Sequence, residues 1–483
     1  MIKQLFRIGI IVCSLCRTVQ AQEPVTAYMP TPWTSRVDKT LPLNDYPRPS
    51  MVRDNWRNLN GRWQYAIREK QMGIPAEWDG EIVVPFPVES YLSEVQQRIS
   101  DKKRIWYRRM VQVDRLPKNK RTLLHIGASD WETTLFINGV AVLSHRGGYT
   151  PISADITAYL KTGNNSIVIS VADPTDAGEQ ARGKQVSRPG GIYYTSVTGI
   201  WQTVWLEQVP VTYIRSYKVI TDIDQQQLTI RPETAQRQPG DRYVLSVFDQ
   251  GRLLVKKEYA TDGPLVAAVP SVVLWSPEQP HLYDFRLAIT RLGDTVDQVS
   301  GYFGMRKVEV KKDEKGISRL FLNNKPLFMY GPLDQGYWPD GIYTAPTDEA
   351  LLSDIERMKA MGFNMVRKHV KVEPERWYYY CDKLGLMVWQ DMPSGYQEIV
   401  PVKDHDHSVE GSWLAEQYKD LTRNKTSEEA FRQEWKAIIN TLENHPAIVV
   451  WVPFNESWGQ FKTNEILRWT KQLDPSRVVD GPS

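Results

Sequence analysis

The segment VWVPFNESWG, residues 450–459, carries an apolar run into Asn455, Glu456 and Ser457. A polar strand end has an ordinary reading: the strand has reached solvent, and Asn, Glu and Ser open a turn. It also has a chemical one. A carboxyl at Glu456, partly desolvated by Trp451, Phe454 and Trp458, would have its pKa raised and would hold a proton for use as a general acid. Asn455 beside it can hydrogen-bond a hydroxyl facing the same pocket. Three more carboxylates occupy comparable positions: Asp391 in VWQDMPS, and Asp334 and Asp340 in GPLDQGYWPDG. His369, closing VRKH, is either a contact in that pocket or a packed, hydrogen-bonded residue.

Such residues work only if the chain holds them together, and the pattern after Lys311 does this with alternating strands and helices. PLFMYG reads as a first strand, followed by the helical DEALLSDIERMKAMG with Leu351, Leu352, Ile355 and Met358 at helical spacing. NMVRKH, LMVWQDMP and AIVVWVPFN read as further strands, separated by PERWYYYCDKLG and EEAFRQEWKAIINTLENH as helices, with FKTNEILRWTKQLD and the start of a strand at Arg477 after them. Repeated β–α units imply a parallel sheet, and short strands with polar C-terminal ends suit a (β/α)8 TIM barrel. Four complete strands and a fifth beginning amount to its N-terminal half, residues 311–483. A half barrel has two exposed edges, so the expectation is a chain that is truncated or closed by something else.

Ahead of it the patterning is all-β. Residues 22–209 carry alternating runs such as RIWYRRMVQV and NNSIVISVAD with Asn-Gly and Gly-Gly turns, which argue for a jelly-roll sandwich. About seven short strands over 210–310 suit an immunoglobulin-like sandwich. Lys3 and Arg7, an apolar stretch from Ile8 to Leu15, and Val19-Gln20-Ala21 read as a signal peptide over 1–21, so a periplasmic or extracellular protein beginning near Gln22 is expected. No segment approaches the roughly 20 apolar residues of a membrane span. Without the leader's Lys3, Arg7 and Arg17, 57 of the 60 basic residues face 57 acidic ones, which gives no reason to expect a nucleic-acid partner. Of three cysteines only Cys381 remains after cleavage, excluding an intrachain disulfide and thiolate-based metal sites.

The chain resembles glycoside hydrolase family 2, the group of β-galactosidases, β-glucuronidases and β-mannosidases. The likeness rests on LNGRWQY (59–65), WYRR (106–109), INGVAVLSHRGGYTPISADIT (137–157), GIWQTVWLE (199–207), YFGMRKVEV (302–310), FLNNKPLFMYG (321–331), GFNMVRKH (362–369) and PFNESWG (453–459), in the family's order. It implies that Glu456 is the acid/base, that Asn455 binds the sugar's 2-hydroxyl, and that Arg367 helps order the site. It further implies an exported retaining exo-β-glycosidase, β-galactosidase-like, acting on an oligosaccharide or glycoside without an organic cofactor. A retaining enzyme needs two carboxyls about 5 Å apart; the family's nucleophile is a second Glu from a later barrel strand, absent from this chain, and the chain alone is expected to be inactive. Asp391 is expected to contact substrate or to serve the structure. Trp338, Trp389, Trp413 and Trp458 offer faces for a sugar ring, Trp458 being next to the acid. GPLDQGYWPDG and RKHVKVEP replace loops that in many relatives contain His and an Arg-Thr-Ser-His-Tyr-Pro run, which leaves the sugar open. The rival readings are a non-catalytic carbohydrate-binding protein and a chain completed in trans.

Overall fold

In the computed structural model the described residues are 29–116, 118–260, 263–395, 420, 422–455 and 459–482. The N-terminal body is a sandwich of two antiparallel sheets. One has four strands in the order Trp56–Asn58, Val204–Pro210, Lys120–Ile126, Ile152–Asp155. The other has six, in the order Gly80–Val84, Gly61–Glu69, Lys103–Val113, Gly163–Ala172, Glu132–Ile137, Val140–Arg146. Strand Glu132–Ile137 buries every second residue, as a half-covered strand should. Their facing sides enclose Trp63, Ile105, Tyr107, Leu124, Ile126, Ile167 and Ile169.

Next comes a smaller sandwich, with three strands facing four. Tyr213–Asp222, Gln227–Ala235 and Leu265–Ala268 form one sheet; Arg252–Tyr259, Arg242–Asp249, Tyr283–Arg291 and Asp294–Phe303 form the other. Arg53 fastens the two sandwiches together. Its guanidinium donates to Asp297 at 2.6 and 3.0 Å and to the Ile214 carbonyl at 2.7 Å, all buried.

The C-terminal body holds five parallel strands among the described residues, in sequence order: Leu333–Asp334, Met365–Lys368, Met387–Asp391, Ile448–Val452 and Val478–Val479. Helices Asp348–Ala360, Glu375–Leu384, Lys425–Leu442 and Thr463–Leu473 cover the sheet. Three of them also carry local signals. The Thr347 hydroxyl and the Asn424 side chain cap two N-termini by accepting from Ala350 and Ser427 N–H, and Gly385, at φ 70°, ends the second helix.

The first strand is not where the apolar run placed it. Lys325–Pro326 belongs to a small antiparallel sheet with Ser318–Leu322 and Val308–Lys312, and Phe328 is 81% exposed. The chain from Tyr330 does run beside the second strand, with Asn364 N–H donating to Tyr330 O and Arg367 N–H to Pro332 O, both at 3.0 Å. Pro332 has no N–H to return, so the ladder shortens to Leu333–Asp334.

Candidate active site

The rim at the C-terminal ends of the parallel strands is assembled by alternation. Arg367 aligns with Trp389 and Lys368 with Gln390, so Arg367, Trp389 and Asp391 lie on one face of the sheet and Lys368 and Gln390 on the other. On the first face Arg367 Nε donates to both Asp391 oxygens at 3.0 and 3.2 Å, and its Nη2 donates to Asp391 Oδ2 at 3.0 Å and to Asn455 Oδ1 at 3.2 Å. His369 Nδ1 lies 3.2 Å from Asp391 Oδ2, which also accepts the Val370 N–H at 3.3 Å. Three successive strand ends thus deliver Arg367, Asp391 and Asn455 to one hydrogen-bonded cluster. Asn455 immediately precedes Glu456. Glu456, Trp458, Trp413 and the leader 1–21 lie outside the described residues.

This geometry redistributes the expected roles. Asp391 is fully buried and both its oxygens are taken up by neighbours, so it orients Arg367, His369 and Val370 and offers no exposed oxygen to a substrate. His369 is buried and hydrogen-bonded through Nδ1, with its backbone N–H on Asp334 O at 2.8 Å. Asp334 faces the other way. Burial alone would raise its carboxyl, but the Lys368 ammonium 2.5 Å away outweighs that and holds it below the ordinary range. Lys368 also bonds Glu373 at 2.8 Å and lies over Trp377, in the layer between sheet and helices. Asp340 is tied to the Thr31 and Thr34 hydroxyls at 2.8 and 2.6 Å. Asp334 and Asp391 are thus held by cations, and Asp340 by hydroxyls through Oδ2 alone.

Trp451 also departs from expectation. Being one residue out of step with Val452, it points to the helices, where its Nε1–H donates to Asp474 at 2.8 Å and its ring meets Trp435 edge-on. Phe454 stacks on Phe431 and meets Phe461. Trp389 lies on the cluster's face, lower on its strand, with Nε1 3.1 Å from Met329 Sδ, and Trp338 meets Trp33 edge-on in the loop after the first strand.

A contribution from the N-terminal sandwich carried no periodic signal. The segment 174–197 leaves strand Gly163–Ala172 and crosses to the rim, where Gly183 N–H donates to Ser394 O at 3.0 Å, three residues after Asp391. Gly183 sits at φ +57°, and a Cβ there would stand 2.4 Å from Val370 O. Gly183→Ala should therefore cost about 1–3 kcal/mol, from the left-handed backbone and the push on Val370. Gly240→Ala, at φ +88° with nothing within 4 Å, isolates the backbone part. Equal melting-temperature losses for the two variants would show that the contact with Val370 carries no weight.

Among the described residues no group of three or more His, Cys, Asp or Glu side chains is arranged to hold a metal ion. No described helix is long and apolar enough to cross a membrane.

Two sandwiches leading into a parallel α/β sheet, with Arg, Asp and Asn gathered at the strand ends, define a multidomain glycoside hydrolase architecture. Residues 56–210 match the sugar binding domain of glycosyl hydrolases family 2, residues 212–306 match the family 2 domain that follows, and residues 308–481 match the family 2 TIM barrel domain. The chain belongs to glycoside hydrolase family 2. It is 26% identical over 404 residues to a putative beta-glucuronidase of Formosa agariphila, covering 77% of this chain and 44% of that protein. It is 26% identical over 466 residues to a beta-galactosidase of Oenococcus oeni, covering 88% and 42%. A solved beta-D-glucuronidase of Dictyoglomus thermophilum superimposes with TM-score 0.71 at 18% identity, covering 90% of this chain and 73% of that one. The chain spans less than half the length of the two curated relatives.

Proposed function

We propose that this chain is the N-terminal part of a retaining exo-β-glycosidase that releases a terminal β-linked galactose or glucuronic acid. The observation that carries this reading is the Arg367–Asp391–Asn455 cluster, held at the ends of three adjacent parallel strands and directly before Glu456. In it Asn455 binds the 2-hydroxyl and Glu456 protonates the leaving oxygen, then takes a proton from the water that resolves the glycosyl-enzyme. Arg367, braced by Asp391, fixes the Asn455 side chain by donating to its carbonyl oxygen, which leaves the amide N–H free to face the sugar. In this reading the attacking carboxylate comes from a later barrel strand, because Lys368 and Arg367 hold Asp334 and Asp391, and Thr31 and Thr34 hold Asp340 Oδ2. The test is hydrolysis of aryl β-galactosides, β-glucuronides and β-mannosides by the full-length protein as encoded, with a Glu456→Gln control. Silence on all three would sink the reading.

We also propose export, supported by the basic, apolar and small-residue order of residues 1–21. N-terminal sequencing of the protein recovered outside the cytoplasm should begin at Gln22. An intact Met1 on the accumulated protein would overturn it.

A further inference from the structure

Beneath the segment 174–197, three carboxyls of the N-terminal sandwich are buried together: Glu89, Asp130 and Asp173. They hold the segment at its two ends and in its middle. At the outgoing end Asp173 accepts the Thr175 N–H at 2.6 Å and the Thr175 hydroxyl at 3.0 Å, keeping a β-branched residue at φ +54°. At the returning end Glu89 accepts the Ser196 hydroxyl at 3.1 Å and the Thr198 N–H at 3.0 Å, while the Thr198 hydroxyl bridges to Asp173 at 3.2 Å. In the middle Gln185 donates to Asp130 at 2.8 Å and accepts the Val197 N–H at 2.7 Å.

Among the described residues no cation is paired with any of the three. What faces them is acidic or neutral. Glu434, on helix Lys425–Leu442, faces Asp130 while its own carboxyl accepts the Gly148 and Tyr149 N–H groups. Asp176 faces Asp173 from the segment itself. Tyr107 faces Glu89, and Tyr149, Tyr337 and Tyr343 face Asp130, all four phenols held neutral by burial. Of the cations nearby, Arg182 faces Asp176, Tyr193 and Tyr149, Lys371 bonds Glu373 at 2.9 Å, and Lys184 is buried on the segment itself, next to Gln185. Ionising several carboxyls in this space brings like charges together out of water.

We propose that Glu89, Asp130 and Asp173 form a proton-operated lock: protonated, they seat the 174–197 segment on the barrel rim, and their ionisation releases it. Burial pushes Glu89 up to about 8 and Asp173 to about 6, and burial together with Asp173 lifts Asp130 well above the carboxylate range. In the seated state these groups bind protons more tightly than in a released, solvated state. Seating is therefore favoured in full below the ordinary carboxylate pKa of about 4, weakens as pH rises, and has lost the Glu89 and Asp173 contributions above about 8. Release would break the Gly183 N–H bond to Ser394 O and lift Gly183 from Val370, next to the Asp391 cluster.

The lock goes beyond the glycosidase reading, and its test needs no turnover. Hydrogen exchange of the full-length protein is followed from pH 5 to 9 as rates corrected for intrinsic exchange, comparing peptides from 174–197 with strand Gly163–Ala172. The segment should lose about tenfold or more of its protection across that range while the strand does not. In Glu89→Gln/Asp173→Asn the loss should shrink to a few-fold. Should that pair fail to fold, Asp130→Asn, whose amide oxygen still accepts from Gln185, should reduce the slope on its own. A flat wild-type profile, or variants that keep the wild-type slope, would overturn the proposal.

Discussion

Replacing Glu456 by Gln in the full-length protein should lower kcat on an alkyl or phenyl β-glycoside by about 10²–10⁴-fold, the usual yield of a positioned acid/base. The amide keeps the size and a hydrogen-bonding end of the side chain but has no proton of the right acidity to give to the departing oxygen. The loss should depend on the leaving group. A dinitrophenolate departs without protonation, so its glycosylation step should survive and the slow step should become hydrolysis of the covalent intermediate, which lacks its general base. Burst kinetics with that substrate, and a small anionic nucleophile that restores turnover, are the expected signature. An equal loss on good and poor leaving groups would argue that Glu456 merely binds. Asn455, held by Arg367, provides the reason to expect chemistry at this position rather than a solvated strand end.

What could be read from the chain differs from element to element for identifiable reasons. The strands Met387–Asp391 and Ile448–Val452 announce themselves because a buried parallel strand opens as an apolar run, whereas Met365–Lys368 shows only Met365 and Val366 before Arg367. That Asp391 is spent on Arg367, His369 and Val370 is a tertiary fact, since these residues are more than twenty positions away in sequence. Trp451 is near Glu456 in sequence, but alternation along its strand sends its side chain to Asp474 and Trp435. PLFMYG misled for the opposite reason: its apolar run is real, but Pro332 denies it a complete ladder and Phe328 stays in solvent. The 174–197 segment carries no periodicity; it is recognised only once Gly183 is seen against Val370 O.

Removing the Asp391 carboxylate should be the most destabilising single change at the rim. In Asp391→Ala the Arg367 guanidinium, whose side chain is 16% exposed, keeps a single bond to Asn455 and loses its counter-charge, while the Val370 N–H and His369 Nδ1 lose their common partner. Breaking a buried pair by deleting one partner costs about 3–5 kcal/mol, because the remaining charge is stranded. Partial exposure of Arg367 and water entering the space left by the side chain place the expected loss at about 3 kcal/mol, the lower end of that range. Asp391→Asn separates the contributions: its oxygen still accepts one Arg367 N–H, but its amide NH2 is a donor set against donors and the charge is gone. It should fall between wild type and alanine. Urea unfolding of the three proteins reads these differences, and a double-mutant cycle with Arg367→Ala isolates the pair. If the cycle returns a coupling near zero, or Asp391→Ala unfolds within about 0.5 kcal/mol of wild type, Asp391 does not brace Arg367. The alternative, that Asp391 acts directly on substrate, predicts the reverse: an unaltered unfolding curve with a raised KM.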